Sequence, residues 1–215
     1  MNDPTHSCGC GHTSSATPVQ HPVDALVAEH EVILAVLEAM ETQAKALQKG
    51  GPFDRGLWAG FPEFLRNFAD RCHHGKEEDL LFPALTRRGL PEPGGPIGVM
   101  KLEHTQGREL VKALDEAIQR SDAKSVVSAA IGFVGLLRDH IAKENNVLFP
   151  IGKRLLEDAA VSELARDFER AEREIMGEGT HCKYLELAQQ LCAKSQVEFA
   201  KRRGDALGGG CCAHH

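Results

Sequence analysis

The sequence has few aromatic residues and no excess of positive charge. Aromatics make up 5% of its 215 residues, and the formal net charge is −6. Nucleic-acid-binding proteins generally combine a basic surface with aromatic side chains that stack on bases, so both features argue against such a partner. The longest nearly apolar run, residues 126–137, is too short to span a bilayer. The first residues lack the charged-then-apolar pattern of a signal peptide. We therefore predict a cytoplasmic protein without a nucleic-acid or membrane partner.

The cysteine content also excludes a class of protein. The seven cysteines are scattered and odd in number, which favours a reducing compartment over a disulfide framework. Hydrophobic residues form 42% of the chain, enough for the core of one large domain or of a domain with extensions. Alanine, leucine and glutamate are plentiful, as is typical of a helical bundle. The composition therefore predicts an all-α fold.

One segment of the sequence occurs twice. Residues 73–83 align at a constant offset with residues 140–150, and His, Lys, Glu, Leu, Phe and Pro match. A Glu-His pair precedes each copy, so the pattern H…HxxxE is present twice. A histidine and a glutamate four residues apart on a helix lie roughly 40° apart around its axis, so both can reach one ion. Four imidazoles and two carboxylates are a typical ligand set for first-row metals.

The spacing of the histidines from the turns supports a shared site. His30 and His73 are almost equally distant from the break near Pro52, and His104 and His140 are equally distant from Asp122. Two antiparallel hairpins would therefore place all four histidines at one level of a four-helix bundle. The alternative is that these are core histidines with glutamates on a solvated face. That alternative explains one copy of the pattern easily and two level copies poorly.

Four parts of the chain can be distinguished. Residues 1–20 form a flexible tail with Cys and His, 21–160 the metal-binding bundle, 161–203 one or two additional C-terminal helices, and 204–215 a flexible Gly/Cys/His tail. Bundle helices are predicted at about 22–49, from Asp54 onward, at 97–120 and at 123–156. Pro83 and Pro150 are each expected to kink or end a helix just beyond the glutamate.

The doubled phrase His-xxx-Glu-xxx-Leu-Phe-Pro, with its two Glu-His pairs, resembles the hemerythrin-like (HHE cation-binding) family over roughly residues 21–160. The resemblance implies an up-down four-helix bundle holding a non-haem di-iron centre. Its two iron ions would be bridged by the two glutamates and by an oxo or hydroxo group. The oxygen carriers of the family have a histidine where this chain has Arg108, and an aspartate where it has Glu144. This site is therefore expected to be more symmetric and poorer in histidine.

The resemblance assigns a role to each residue of the pattern. His30 and His104 are expected to bind one metal each, and the histidines of the repeat to complete each pair. The glutamates of the repeat are the expected bridges. The predicted metal ligands are His30, His73, Glu77, His104, His140 and Glu144.

Neighbouring residues have weaker assignments. His74 does not align with His140, so it is expected beside the ligands or at the surface, with metal binding as the less favoured alternative, and Glu78 is expected to be a solvated charge. Arg108 either faces the centre, where its charge would favour a bound anion, or forms an ion pair with a carboxylate of the second helix. His181 and Tyr184 either cover the metal site or serve packing.

Soft metal ligands are found near both ends of the chain. They can bind metal in transit to a transfer partner, or they are incidental to flexible termini. These residues are Cys8, Cys10 and His12 in the first tail, and Cys211, Cys212, His214 and His215 in the second. The remaining cysteines, Cys72, Cys182 and Cys192, are expected to be small buried or half-buried residues.

The leading functional hypothesis is a di-iron protein that binds or reacts with O₂, NO or peroxide as a sensor, scavenger or stress protein. The first alternative is iron handling, meaning storage, delivery or the repair of iron–sulfur centres. The ligand pattern also resembles the repair proteins, although those have a separate cysteine-bearing N-terminal domain. The second alternative is an iron-dependent interaction module. The pattern leaves open whether the protein is an enzyme.

Overall fold

The computed structural model describes residues 21–177 and 180–199, and every regular element within them is a helix. The tail residues Cys8, Cys10, His12, Cys211, Cys212, His214 and His215 lie outside this part of the chain. Six helices follow one another, and two of the first four change from α-helical to π-helical winding along their length. The helices are α1 (Pro22–Gln48), α2 (Arg55–Phe64, Leu65–His74, Glu77–Leu81 and Phe82–Thr86), α3 (Pro96–Gln119), α4 (Ala123–Lys143, Glu144–Leu148 and Phe149–Leu155), α5 (Asp158–Ala171 and Glu172–Met176) and α6 (Thr180–Lys194).

Two aspartates cap helices at the positions that the sequence predicts. The Asp54 carboxylate accepts from the Leu57 N–H at 3.0 Å and caps α2, and Asp122 accepts from the Ser125 N–H at 3.2 Å and caps α4. These carboxylates satisfy amides that have no partner in the first helical turn. Helix α1 stops at Gly50, whose φ of 88° suits glycine. The caps and stops therefore fix the hairpin turns.

The prolines of the repeat do not end their helices. Each follows a π-helical turn, Glu77–Leu81 in α2 and Glu144–Leu148 in α4, and lies in the first turn of the next α-helical segment. A proline has no N–H to donate, and the first turn of a helical segment needs none. The change of winding therefore lets both helices continue past Pro83 and Pro150, so of the two expected outcomes, a kink or a helix end, the helix end is wrong.

Helices α1 to α4 form a bundle with two apolar cores. Helix α4 packs along α1 and α3, and α2 packs against α3. The larger core includes Ile33, Phe61 and Phe133, and the smaller core includes Leu26 and Phe149. On each of the four helices, the predicted ligands lie between residues of one core and residues of the other. The ligand layer is therefore enclosed by apolar packing above and below.

The two C-terminal helices pack on the first hairpin. Helix α6 contacts α1 and α2, and a Cβ added at Gly60 would lie 2.9 Å from Leu191 Cδ2, so α6 approaches α2 closely. Helix α5 adds Leu164 and Phe168 to the smaller core. The prediction of an all-α hemerythrin-like bundle with extra C-terminal helices is confirmed. The division at residue 160 remains a prediction.

Helix α4 is long and apolar enough to cross a membrane by length and composition. Its span Ala123–Leu155 contains a window of mean hydropathy 1.3. The same helix buries Ala130, Phe133 and His140 inside the bundle. A core helix of a water-soluble protein meets the same criteria, so this helix is weak evidence for a membrane.

Candidate metal centre

The six predicted ligands meet in one buried layer. His30 comes from α1, His73 and Glu77 from α2, His104 from α3, and His140 and Glu144 from α4. None of the six is more than 1% exposed. The layer forms because the histidines of each hairpin are level and the glutamates follow one helical turn later.

The histidines form two pairs. His30 Nε2 lies 2.9 Å from His73 Nε2, and His104 Nε2 lies 3.0 Å from His140 Nε2. Two nitrogens bound at right angles to one ion, each about 2.1 Å away, would be about 3.0 Å apart. Each pair therefore has the separation of two ligands of one metal.

The two glutamates connect the pairs. Glu144 places Oε2 3.1 Å from His30 Nε2 and Oε1 3.2 Å from His140 Nε2. Glu77 places Oε1 3.7 Å from His73 Nε2 and Oε2 3.5 Å from His104 Nε2. Each carboxylate therefore directs one oxygen toward each histidine pair, which is the arrangement of a ligand that bridges two ions.

The four carboxylate oxygens of Glu77 and Glu144 are buried and accept no hydrogen bond from the described residues. Burying an ionised carboxylate without partners costs several kcal/mol, so this arrangement calls for a cation. Burial raises the pKa of Glu77 well above its ordinary value, and the charge of Glu144 adds to the effect. For Glu144, the effect of burial is outweighed by the adjacent imidazoles of His140 and His30, which hold its pKa well below the ordinary value. The donor set fits first-row metal ions.

A repeated pair of hydrogen bonds orients one histidine of each pair. The Nδ1–H of His73 donates to Glu29 Oε2 at 2.9 Å, and the Nδ1–H of His140 donates to Glu103 Oε2 at 3.0 Å. The other carboxylate oxygens accept from Lys76 and Lys143, respectively. Because the carboxylates hold Nδ1–H, the Nε2 lone pairs face the centre. The sequence analysis assigned no role to these two glutamates and two lysines, although each of them matches its counterpart in the repeat.

The remaining two histidines are held from the opposite hairpin. His30 donates through Nδ1 to Asn145 Oδ1 at 2.9 Å, and His104 donates through Nδ1 to Glu78 Oε1 at 2.7 Å. Asn145 and Glu78 occupy the same position of the repeat. The prediction that Glu78 is a solvated charge is wrong, because its carboxylate binds His104.

Residues 21–151 match the hemerythrin HHE cation-binding domain family. The chain belongs to this family. Relatives from Salmonella schwarzengrund, Salmonella paratyphi B and Salmonella newport, each named iron-sulfur cluster repair protein YtfE, are 34% identical to it over 146 residues. The match covers 63% of this chain and 66% of each relative, slightly less than two thirds of their length. No solved structure matches the chain.

Arg108 forms ion pairs with α2 in this hemerythrin-family bundle, which is the second of its two predicted roles. Its Nε donates to Asp70 Oδ1 at 2.8 Å and its Nη2 donates to Glu78 Oε1 at 2.7 Å. The side chain is 42% exposed. Arg108 therefore forms ion pairs with carboxylates of α2, and one of these, Glu78, connects it to His104.

His74 is buried against the layer. Its ring stacks on that of His104 with centroids 3.7 Å apart and planes 18° apart, and its Nδ1 lies 3.3 Å from Asp70 Oδ1. Burial, reinforced by the neighbouring imidazoles, lowers the pKa of His74 well below its ordinary value. One donor atom of His74 lies within 4.8 Å of a donor atom of each of Glu77, His104 and His140. The expectation of a surface position is wrong, and the expectation of a place beside the ligands is confirmed.

A cavity of about 330 Å³ reaches the layer from the side. Its walls are mainly apolar, and charged side chains stand among them. The lining residues are Leu65, Arg66, Ala69, Asp70, His74, His104, Arg108, Val111, Lys112 and Phe133. Because His104 is both a predicted ligand and part of the wall, the cavity leads to the second histidine pair.

Among the described residues of the C-terminal helices, none lies in the ligand layer. The His181 ring packs on Phe68 with centroids 5.5 Å apart, and its Nε2 lies 3.4 Å from Glu172 Oε1. Tyr184 is buried in the larger core. The packing alternative for both residues therefore agrees with the structure. Cys72 and Cys192 are buried and Cys182 is half-buried, as expected.

Proposed function

We propose that this chain is a non-haem di-iron protein. His30 and His73 would hold the first iron, His104 and His140 the second, and Glu77 and Glu144 would bridge them. The observation that carries the proposal is the set of four buried, unpartnered carboxylate oxygens that face two close pairs of imidazole nitrogens. A pair of divalent cations would balance these carboxylates and use the nitrogen lone pairs.

We further propose that the centre binds or reacts with a small oxidant or gas, either O₂, NO or peroxide, in the cytoplasm. Iron bound at these residues would supply redox chemistry and open coordination positions. The protein residues orient the imidazoles through Glu29, Glu103, Glu78 and Asn145, and the apolar cores exclude bulk water. The side cavity is many times larger than the roughly 30 Å³ that one water occupies, so it has room for such molecules.

Metal analysis after anaerobic loading with Fe(II) tests the first part of the proposal. The wild type is expected to retain about two irons per chain, and the paired Glu77→Gln/Glu144→Gln variant is expected to lose both. His73→Ala and His140→Ala should lose iron severely. Glu63→Gln is the matched control, because Glu63 is an exposed carboxylate on the same helix as Glu77. Full iron occupancy in the paired variant would refute the ligand assignment.

Filling the cavity tests the second part. Ala69 lines the cavity and is buried, so Ala69→Leu should slow the reaction of the loaded centre with NO while both irons remain. Ala84→Leu is the control, because Ala84 is also a buried alanine of α2 but does not line the cavity. Stopped-flow absorbance measures the rates. Equal slowing in both variants would refute the cavity as the route.

Repair of iron–sulfur centres is the second candidate function. It is favoured by the 34% identity to relatives named iron-sulfur cluster repair proteins. The test is anaerobic incubation of the iron-loaded protein with an oxidant-damaged iron–sulfur enzyme, followed by measurement of recovered activity. Recovery that requires Glu77 and Glu144 would support repair. A second arm deletes residues 1–20 and 204–215, and loss of recovery with normal iron content would assign transfer to the Cys/His tails.

A further inference from the structure

The two halves of the bundle are alike in the ligand layer and different beside it. The repeat gives each half the same His, Lys and Glu, and the same Glu-His pair. At four positions next to the ligand layer the two halves carry different residues, which are polar in the half with His104 and mainly apolar in the other. In the repeat, Asp70 corresponds to Leu137, His74 to Ile141, Glu78 to Asn145, and Arg108 to Leu34.

The polar residues of the first set form one connected group beside His104. Asp70 contacts both His74 Nδ1 and Arg108 Nε, and Arg108 also donates to Glu78. Glu78 accepts from the His104 Nδ1–H, and the His74 ring stacks on the His104 ring. These contacts therefore place His74 directly beside His104.

His74 has the same arrangement as the four predicted histidine ligands. Each of those four donates its Nδ1–H to an oxygen of Glu or Asn, which leaves Nε2 free for a metal. His74 has its Nδ1 beside an oxygen of Asp70, so its Nε2 carries the free lone pair. It also belongs to a group of four buried residues, with Glu77, His104 and His140, whose donor atoms lie within 4.8 Å of one another. The His74 and His104 rings are stacked with centroids 3.7 Å apart, closer than the 4.6 and 4.7 Å of the two predicted ligand pairs, so the His74 ring has to swing away from His104 before both Nε2 lone pairs can point at one ion.

We propose that His74 is a third nitrogen ligand of the second metal position. This inference rests on the proposed function, because it assumes that two irons are bound. The first position then has two nitrogens, from His30 and His73, and the second has three, from His104, His140 and His74. The two irons are chemically different, and the richer set of nitrogens faces the side cavity.

Mössbauer spectroscopy of protein loaded anaerobically with ⁵⁷Fe(II) tests the inference. The wild type should give two quadrupole doublets of equal area. In His74→Ala the doublets should converge, and a competing chelator should remove the second iron at least tenfold more readily. His74→Gln, which keeps a polar side chain of similar size, repeats the test if the alanine variant folds poorly. Glu63→Gln is the control, because this exposed carboxylate of α2 lies outside the ligand layer and should leave both doublets unchanged.

The failures of the two proposals can be told apart. Wild-type protein that binds fewer than two irons would overturn the di-iron proposal and, with it, this inference. Two bound irons with a single doublet in the wild type would overturn only the role of His74. The same conclusion would follow if both His74 variants kept two separate doublets and wild-type resistance to the chelator.

Discussion

The repeat contains two equivalent ion pairs that differ in burial, so it allows a matched test of how burial changes the contribution of an ion pair to stability. Lys76 and Lys143 occupy equivalent positions and each binds the glutamate that orients a histidine, Glu29 or Glu103. Their environments differ, since the Lys76 side chain is 4% exposed and the Lys143 side chain is 41% exposed. Helix α5 accounts for part of the difference, because its Phe168 ring lies 5.9 Å from the Lys76 ammonium.

We predict that Lys76→Met destabilises the protein far more than Lys143→Met. Removing one partner of a buried pair leaves an uncompensated charge and costs about 3–5 kcal/mol, whereas an exposed pair contributes about 0–1 kcal/mol. For a protein of this size, each kcal/mol lowers the melting temperature by about 2–4 °C. Lys76→Met should therefore lower it by roughly 6–20 °C, and Lys143→Met by about 4 °C at most.

The pKa of Glu29 gives a second measurement of the same pair. Burial alone would raise this pKa, but the Lys76 charge and the His73 hydrogen bond outweigh burial and hold it at about 2. Glu29 is therefore ionised at neutral pH and its stabilisation is present above the ordinary pKa near 4.5, then lost as the pH falls toward 2. Removal of the Lys76 charge should raise the pKa of Glu29 toward its ordinary value. The Lys76→Met variant should therefore lose less stability than the wild type on acidification from pH 5 to pH 3.

Urea unfolding of the iron-free proteins, followed by circular dichroism, measures these changes. The double variant Lys76→Met/Glu29→Gln keeps an oxygen for the His73 Nδ1–H and removes both charges, so it should recover much of the lost stability. Equal losses in Lys76→Met and Lys143→Met, or no recovery in the double variant, would refute the argument that burial decides the value of this pair.

Three further predictions address other parts of the molecule. Chelation of iron should lower the melting temperature by about 10–20 °C, since two sites at one hundred times their dissociation constant contribute about 5 kcal/mol, and an unchanged melt of iron-free protein would contradict this. Arg108→Ala should keep two irons and cost about 1 kcal/mol or less, because the ion pairs are partly exposed; iron analysis with urea unfolding checks it, and loss of iron would contradict it. Burial raises the pKa of the Cys192 thiol to about 11, from an ordinary value of 9.0. Mass spectrometry should therefore find Cys192 labelled roughly 100-fold more slowly in folded than in unfolded protein at pH 8, and equal rates would contradict its burial.

The sequence was sufficient to predict that the six residues lie in one layer, because that prediction requires only distances along the chain. His30 and His73 are level because they are equally far from one turn, and the caps at Asp54 and Asp122 fix where the helices begin. The contact of His104 with Glu78 could not be obtained in this way. It joins two hairpins, and periodicity gives the face of a residue without giving its neighbour on another helix.

The sequence analysis allowed a surface position for His74, which is buried, and the reason is the local winding of the helix. On a regular α-helix, consecutive side chains diverge by about 100°, so choosing His73 as the inward residue turns its neighbour away. Both histidines lie in the π-helical stretch Leu65–His74, where each residue turns the chain through a smaller angle. The wider winding lets His73 and His74 both face the interior. Intrinsic preferences do not predict a π-helical stretch, which is rare and frequently marks a functional site.

The residues that the two copies share form the layer itself, and the residues that they do not share make its two halves different. Residues that match in both copies supply the four imidazoles, the two carboxylates that lie between the histidine pairs, and the Glu–Lys pairs that orient two of the histidines. The residues that differ are grouped around one histidine pair, and three of them also line the side cavity, whose wall includes His104. The four residues are Asp70, His74, Glu78 and Arg108. A symmetric set of ligands would bind two equivalent ions, and reactivity at one of them requires that symmetry to be broken. The polar group beside His104 breaks it on the side that small molecules can reach, so the chemistry of this protein should depend on the residues that the repeat does not share.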